Sequence, residues 1–461
     1  MKLNTDSSHT LVYSKSPLKF LEDLGLVVRS SVGRAYLNNL PFLKDAEALT
    51  REYQQTAQTI SILHETENNK VVNHVMHQLS EVQDIHGTLT NLKQRSTLND
   101  IELFEIKHFA LIVEDLRQYD IISTLVELPD TIDAVDVLDP EKERIDTFFI
   151  YDSYSPQLAE IRKKMKASEE IDAELFHQAM EIEDGIREDL SEKLMPHAEN
   201  LNLALDQLAY LDVLFAKAIL ANKLGLTQPT ILIDSDATSD YKGIFHPQIK
   251  ALLKEQGKEY QPIDVDIPNA PTLITGINMG GKTVILRTLA LAQYMCQFGF
   301  FVPADTAKIT LVDSIMMCID DDQNHLQGLS SFAAEMKNIN QVLNTLNEGK
   351  RPLVLIDELA RTTNPTEGSA IVSAVLEIFR EQNVRAFVTS HYDHIKATCR
   401  RKRVKGLTNL QDIDANHIER HIDYSLVDDA AGEVPHEALR IAELLGTNTT
   451  LIQRANTFLN E

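Results

Sequence analysis

The octapeptide GINMGGKT, residues 276–283, fits the pattern G-x-x-x-x-G-K-[ST] at every fixed position. An apolar run, 272–275, leads into it, and the stretch from Lys282 to Gln297 has the spacing of a helix. A glycine-rich turn between strand and helix exposes backbone N–H groups at the positive end of the helix, where phosphate binds. The octapeptide therefore predicts a phosphate-binding loop. Its candidate residues are Gly276, Asn278, Gly280, Gly281, Lys282 and Thr283.

Two apolar runs further along the chain also end in polar residues. Residues 352–356 (PLVLI) lead into Asp357 and Glu358, and residues 386–389 (AFVT) lead through one serine into His391. Parallel strands bring their carboxyl ends to one edge of a sheet. We therefore expect these polar side chains to lie beside the phosphate-binding loop.

The residue types at this edge suit nucleotide chemistry. Lys282 would reach the β- and γ-phosphates, and the Thr283 hydroxyl would bind Mg²⁺. Asp357 would support the metal, and Glu358 would polarise an attacking water. His391 would contact the terminal phosphate and sense its loss. The sequence therefore predicts a site for ATP and Mg²⁺ at which ATP is hydrolysed.

The pattern of the chain changes near residue 230. Before it, glycine is sparse and segments such as Ala198 to Asn222 have helical spacing. After it, short apolar runs alternate with helical patterns, which is typical of a mostly parallel α/β sheet. We predict a multidomain chain with an all-α region over 1–230, an α/β nucleotide domain over 231–430 and a helical tail over 431–461. The apolar runs are 230–233, 272–275, 308–312, 353–356 and 386–389.

Composition limits the class of protein. The chain has 461 residues, 43% hydrophobic and 25% charged, which is ordinary for a globular protein. Its three cysteines are far apart, which excludes a disulfide scaffold and suits a reducing compartment. No apolar run is long enough to span a membrane and the start lacks a signal peptide, so we expect a cytoplasmic protein. The net charge of −25 disfavours phosphate backbones as partners unless basic patches exist.

Several of these stretches together resemble the MutS family, the DNA mismatch-repair ATPases and their truncated relatives. The loop itself carries the similarity, and so do Thr389-Ser390-His391-Tyr392 and the tail from Gly432 to Leu459. Weaker similarity to the helical core of the family is present at Gly33-Arg34 and at Leu211-Asp212-Val213-Leu214. Two further matching stretches are Phe301-Val302-Pro303-Ala304 and Ser330-Ser331-Phe332-Ala333-Ala334-Glu335-Met336.

The resemblance implies a fold and a mechanism. The fold would be a helical core and lever domain, then an ABC-type P-loop ATPase domain and a helix-turn-helix dimerisation tail. Two copies, most simply a homodimer, would pair head to tail, and Ser330 or Ser331 would cap the γ-phosphate held by the partner subunit. His246 and Pro247 would lie near the base. Binding of ATP would close the dimer and hydrolysis would open it.

The sequence also departs from the family pattern. The DNA clamp of the family corresponds here to a short arm near 163–197, in which 169–192 contain ten acidic residues and one base, Arg187. A DNA clamp needs Lys and Arg to neutralise phosphates. Six basic residues do cluster within 396–405. This cluster is either a solvated loop or a contact for a phosphate backbone or an acidic partner. Mismatch-repair members carry a glycine-rich G-R-G-T-S segment after the carboxylate that corresponds to Glu358, where residues 359–368 here are LARTTNPTEG. We see no Smr-type nuclease domain after the tail and therefore expect no nuclease activity.

Two functions from different classes remain open. In the first, the ATPase acts on duplex or branched DNA in mismatch repair or recombination. In the second, it remodels a protein client, as MutS-like proteins of reduced architecture do when they reactivate a cobalamin-dependent amino-acid mutase. The segment that resembles the helical core starts near residue 17, so we expect neither the mismatch-reading domain nor the connector domain of the mismatch-repair members. This expectation and the acidic arm suit the second function, while likeness to the family as a whole favours the first.

Overall fold

The structure is a computed structural model that describes residues 17–167, 172–276, 281–318, 331–392, 394–407, 421–429, 439, 442–443 and 446–459. It divides the chain into two compact units. The helical unit comprises Leu26–Leu40 and Gln54–Ile219, and the α/β unit comprises Met1–Gly25, Pro41–Tyr53 and Leu220–Glu461. Within the described residues, no helix combines the length and the apolar character needed to cross a membrane.

The described residues from Pro17 to Leu224 form helices joined by turns and loops. Apolar residues recur every three or four positions, as in Val72, Val75 and Leu79, and this stripe is buried in the core of the helical unit. The helices are α1 (Pro17–Asp23), α2 (Ser31–Asn38), α3 (Ala46–His64), α4 (Asn69–Glu81), α5 (His86–Lys93), α6 (Asp100–Arg117), α7 (Asp120–Ser123), α8 (Ile132–Leu138), α9 (Pro156–Ala167), α10 (Ala173–Leu194) and α11 (Ala198–Leu224).

Asp212 on α11 connects distant parts of the helical unit. Its buried carboxylate accepts hydrogen bonds from the backbone N–H groups of Arg29 and Ser30, at 3.0 and 2.7 Å, and from the Ser30 hydroxyl at 2.7 Å. Ser30 in turn caps α2 by accepting the N–H of Gly33. A Cβ on Gly33 would lie 2.5 Å from the Asp212 carboxylate. The two stretches with weak family similarity are therefore in contact.

Helix α10 is amphipathic and acidic. Ala179, Ile186, Leu190 and Leu194 are buried in the core of the helical unit. The helix contains two basic residues. Arg187 donates 2.7 Å hydrogen bonds to Asp100 and Asp184, and Lys193 donates a 2.6 Å hydrogen bond to Asp189. The acidic residues exposed on the outer face outnumber these cations, so this face is poorly suited to phosphate. The exposed acids are Asp172, Glu174, Glu181, Asp184, Glu188, Asp189 and Glu192.

The α/β unit contains two sheets, ordered β1-β5-β2-β3 and β10-β9-β4-β8-β7-β6. The strands are β1 (Thr230–Leu232), β2 (Ser239–Ile244), β3 (Ile263–Ile267), β4 (Pro271–Thr275), β5 (Thr306–Thr310), β6 (Ile315–Cys318), β7 (Leu353–Ile356), β8 (Arg385–Thr389), β9 (Arg400–Leu407) and β10 (Ile422–Asp428). The described helices of this part are α12 (Pro247–Glu255), α13 (Lys282–Gln297), α14 (Ser331–Asn347), α15 (Pro365–Glu381) and α16 (Thr449–Leu459).

The larger sheet positions the predicted site. Strands β6, β7, β8, β4 and β9 are parallel neighbours, and β10 is antiparallel to β9. Three of the five predicted runs are β4, β7 and β8 in the middle of this sheet, as expected for strands buried on both faces. The other two runs are β1 and β5, which belong to the smaller sheet, where β2 and β3 add antiparallel pairs. The prediction of one mostly parallel sheet was wrong, because the unit contains a second sheet with antiparallel pairs.

The basic cluster is also different from the solvated loop considered above. Most of it lies in β9, and three of its six cations have carboxylate partners. Arg400 and Lys402 both pair with Asp266 on β3, the latter at 3.3 Å, and Lys405 donates a 2.7 Å hydrogen bond to Asp423 on β10. That hydrogen bond, with others from Ser425 and Gln261, holds the pKa of Asp423 well below its usual range. The cluster therefore stabilises the edge of the sheet.

Candidate nucleotide-binding site

The predicted phosphate-binding loop begins where β4 ends. Gly276 has a φ of 125° and Gly281, directly before α13, has a φ of 73°, values that only glycine adopts without strain. Lys282 is buried and donates a 2.7 Å hydrogen bond to the Gly276 carbonyl. Burial lowers the pKa of Lys282, and the nearby carboxylates of Glu358 and Asp357 oppose this shift. The Lys282 side chain therefore reaches back to the end of β4.

Thr283 and Asp357 are brought into direct contact. The Thr283 hydroxyl donates a hydrogen bond to Oδ2 of Asp357. This contact arises because β4 and β7 are both parallel neighbours of β8, so the residues after them meet at one edge. Hydroxyl and carboxylate oxygens are ligands that Mg²⁺ prefers, together with water and substrate phosphates. The oxygens of Thr283 and Asp357 therefore fit Mg²⁺. Among the described residues, no group of three or more His, Cys, Asp or Glu could hold a metal ion by itself.

Thr389 connects the two carboxylate residues that follow β7. Its buried hydroxyl donates a 2.6 Å hydrogen bond to Oδ1 of Asp357 and accepts a 2.8 Å hydrogen bond from the N–H of Glu358. The strand register pairs Ile356 with Val388, which places the next residues of both strands side by side. Thr389 therefore fixes the carboxylate of one residue and the backbone of the other.

Glu358 lies in a turn with unusual backbone geometry. Its φ is 48° and that of Ala360 is 62°, although neither residue is glycine. The Glu358 side chain is 18% exposed, and its Oε2 lies 3.4 Å from Nη1 of Arg361. His391 follows β8, and its ring lies 4.4 Å from the ring of Tyr392. The structure thus brings Lys282, Thr283, Asp357, Glu358 and His391 to the same end of the sheet.

Some of the predicted residues are not described. Asn278, Gly280 and Ser330 lie outside the described residues. Ser331 is the first residue of α14. The roles predicted for these four residues therefore stay predictions.

A cavity of about 960 Å³ lies beside the loop, between α12, α13 and β10. Its walls include Tyr260, Tyr424, Val284 and the backbone of Gly281. A Cβ on Gly281 would lie 3.2 Å from the ring of Tyr424, so glycine also lets this ring approach the loop. The cavity is large enough for a nucleoside and is mostly apolar at these positions.

His246 lies behind the wall of this cavity. Its backbone N–H donates a 3.0 Å hydrogen bond to the Tyr260 hydroxyl, and its ring lies edge-on to Phe20 at 5.8 Å. Burial lowers the pKa of His246 to about 4, with a smaller contribution from Arg287. His246 is therefore neutral at physiological pH and supports Tyr260.

Four residues of this region had no role assigned from the sequence, namely Thr389, Tyr392, Tyr260 and Tyr424. Thr389 and Tyr392 were noted only as part of a matching stretch. A polar residue ending a buried strand was the one available signal for Thr389. Nothing local to Tyr260 or Tyr424 indicates that they line one cavity, because they are brought to it by the pairing of Gln261 with β10.

Comparison with known proteins agrees with this geometry. The family model for MutS domain V matches residues 272–461. Endonuclease MutS2 of Thermus thermophilus is 34% identical over 277 residues, which is 60% of this chain and 35% of that protein. Over residues 272–461 the chain is therefore similar to the MutS family. Its matching domain is of the ATPase type.

Further members of the family give the same result. Endonuclease MutS2 of Caldicellulosiruptor bescii is 34% identical over 225 residues, which is 48% of this chain and 27% of that protein. The same enzyme of Shouchella clausii is 36% identical over 219 residues, 47% of this chain and 26% of that protein. The matches thus span about a third or less of the length of these relatives. Endonuclease activity is named for those proteins and is not carried over to this chain.

Proposed function

We propose that this chain binds and hydrolyses ATP in a dimeric, nucleotide-gated switch that acts on DNA structures in mismatch repair or recombination. The observation that carries the ATPase part is the contact between Thr283 and Asp357. It joins the phosphate-binding loop to a strand end that also bears Glu358. A loop, a metal-side carboxylate and a second carboxylate at one sheet edge are the parts that phosphoryl transfer to water requires.

The loop and the cavity would share the nucleotide. The phosphates would lie on the backbone N–H groups of the loop and at the N-terminus of α13, with the Lys282 ammonium neutralising negative charge. The base and ribose would enter the cavity, where Tyr260 and Tyr424 offer aromatic surfaces. Lys282 would exchange its bond to the Gly276 carbonyl for bonds to phosphate oxygens.

Thr283 and Asp357 would hold Mg²⁺, which when bound neutralises charge on the phosphates. Thr389 keeps Asp357 oriented for this task. Glu358 would orient a water for in-line attack on the γ-phosphorus and accept its proton, while the bond to the ADP oxygen breaks. His391 would hydrogen-bond the γ-phosphate and lose that contact when phosphate leaves.

A homodimer is proposed on the family pattern, with Ser330 or Ser331 of one subunit facing the nucleotide of the other. The described part of the tail is compatible with pairing. Helix α16 exposes Leu451, Phe458 and Leu459, while Ile452 is buried. Exposed apolar residues of this size on one short helix are typical of a surface that is covered in an assembly.

DNA is proposed as the client because the relatives reported above are named endonucleases, whose substrates are nucleic acids, and because the resemblance is to the DNA mismatch-repair ATPases. The acidic face of α10 and the paired cations of β9 are both unsuited to a phosphate backbone. Contact with DNA must therefore come from other surfaces. The alternative of a protein client, including a cobalamin-dependent mutase, receives no support from the comparisons and is not proposed.

Steady-state ATP hydrolysis tests the proposal, measured alone and with homoduplex, mismatched and branched DNA at low and physiological salt. Glu358→Gln should reduce kcat by about a hundredfold or more. Glu367→Gln on α15 makes the same charge change outside the site and should leave the rate unchanged. Stimulation by DNA that persists at physiological salt is expected. A rate that is lost in Glu358→Gln but indifferent to DNA would retain the ATPase and reject the DNA client.

A further inference from the structure

Ala360, two residues after Glu358, is held by side chains of two other elements. Its N–H donates a 3.0 Å hydrogen bond to Oε2 of Glu335 on α14. Its carbonyl accepts a 2.5 Å hydrogen bond from the Tyr392 hydroxyl and a 3.1 Å hydrogen bond from the N–H of Thr363. Ala360 is fully buried, so these bonds satisfy groups that water cannot reach.

Tyr392 is itself fixed in place. Its N–H donates a 3.1 Å hydrogen bond to Ser390 Oγ. Its ring lies against the backbone of α15 at Gly368, where a Cβ would come within 2.4 Å of Cζ. Burial raises the pKa of Tyr392, and the charges of Glu335 and Glu358 act in the same direction. The hydroxyl therefore remains protonated and can donate to Ala360.

The turn that these bonds hold contains Glu358. Both Glu358 and Ala360 have positive φ values, 48° and 62°, which residues with a side chain adopt only when their surroundings enforce it. The direction of the Glu358 side chain depends on the backbone of this turn. Release of Ala360 would let the turn relax and would move the carboxylate.

We propose that Tyr392 and Glu335 are positioning residues that hold the Glu358 carboxylate for catalysis through the turn at Ala360. This inference rests on the proposed hydrolysis of ATP. In the proposed mechanism, neither Tyr392 nor Glu335 contacts the nucleotide or the attacking water.

Tyr392→Phe removes only the hydroxyl and tests the first contact. We expect kcat to fall by about tenfold or more, because a small misplacement of a catalytic group is costly, while KM stays within about twofold. Tyr154→Phe is the matched control, since it removes a hydroxyl that donates 3.0 Å to the Val137 carbonyl in the helical unit. It should leave both constants unchanged.

The same substitution in the Glu358→Gln background shows whether Tyr392 acts through Glu358. Residues that act as one unit are not additive, so no further loss is expected there. A further loss equal to that in the wild-type background would overturn the proposal, as would an unchanged kcat for Tyr392→Phe alone. If Glu358→Gln itself retains the wild-type rate, the proposed ATPase function fails instead.

Glu335 supplies an independent pair of variants if Tyr392→Phe does not fold. Glu335→Gln keeps an oxygen that accepts the Ala360 N–H and should retain most of the rate. Glu335→Ala removes the acceptor and should lower kcat by about tenfold, again without a large change in KM. Equal rates for these two variants, with melting temperatures close to wild type, would contradict the role of Glu335.

Discussion

The Thr389 hydroxyl donates a 2.6 Å hydrogen bond to Oδ1 of Asp357, and the Thr389 hydroxyl oxygen accepts a 2.8 Å hydrogen bond from the N–H of Glu358. A hydroxyl has one proton to donate and lone pairs to accept with, so both bonds form together only in this arrangement. One side chain therefore orients the carboxylate proposed for the metal and the backbone of the residue proposed for catalysis.

Thr389→Val should impair both stability and hydrolysis. Valine has the shape of threonine without the hydroxyl, so the buried N–H of Glu358 loses its acceptor at a cost of about 1–3 kcal/mol. We expect a lower unfolding midpoint in urea and a kcat reduced by about tenfold or more, because Asp357 and Glu358 are both less fixed. Thr389→Ser retains the hydroxyl and should preserve most of the rate. A Thr389→Val variant as active as wild type would contradict this assignment.

Ala360→Gly should stabilise the protein. Ala360 has a φ of 62°, a conformation that disfavours a residue with a Cβ by about 1–2 kcal/mol, while glycine adopts it freely. Part of this gain is lost because glycine has more freedom in the unfolded chain, so an increase of up to about 1 kcal/mol is expected. Urea unfolding followed by circular dichroism measures it. Ala159→Gly on α9, where the backbone is helical, should be destabilising by contrast.

The sequence predicted the strands that lie next to the site. The central strands β4, β7 and β8 are continuous apolar runs that end in polar residues, and such runs are visible without knowledge of the partners. The parallel order of these strands then brings Thr283 and Asp357 together. These parts of the site depend on local pattern and on one general rule of sheet geometry.

Other parts could not be predicted because they depend on distant partners. Strand β9 is rich in cations, and only its contacts with Asp266 and Asp423 explain why a charged segment forms a strand. The contact of Tyr392 with the Ala360 carbonyl links positions 32 residues apart. No short-range period encodes such pairs.

His246 should make stability depend on pH. Its pKa falls from 6.5 to about 4 on folding, so between these values the unfolded chain binds more protons than the folded one. The stability associated with burying neutral His246 is complete above pH 6.5. As the pH falls towards 4, the free energy of unfolding decreases by about 3 kcal/mol in total. His246→Asn removes the titrating group. The difference in unfolding free energy between wild type and this variant should therefore change across pH 4–6.5, and parallel profiles would contradict the prediction.

Gly33→Ala should destabilise the helical unit. The added Cβ would lie 2.5 Å from Asp212 Oδ2 and 2.7 Å from Cγ1 of Val28, closer than atoms in packed proteins approach. Either the carboxylate moves and loses its bonds to Ser30, or α2 shifts. A loss of about 1–3 kcal/mol is expected, measured by urea unfolding.

Gly185→Ala on α10 is the matched control for this last substitution. Nothing lies within 4 Å of the position that its Cβ would occupy, and alanine is favoured over glycine inside a helix by about 1 kcal/mol. The same chemical change should therefore stabilise the protein at residue 185 and destabilise it at residue 33. Equal effects at both positions would show that the contact between Gly33 and Asp212 does not constrain the helical unit.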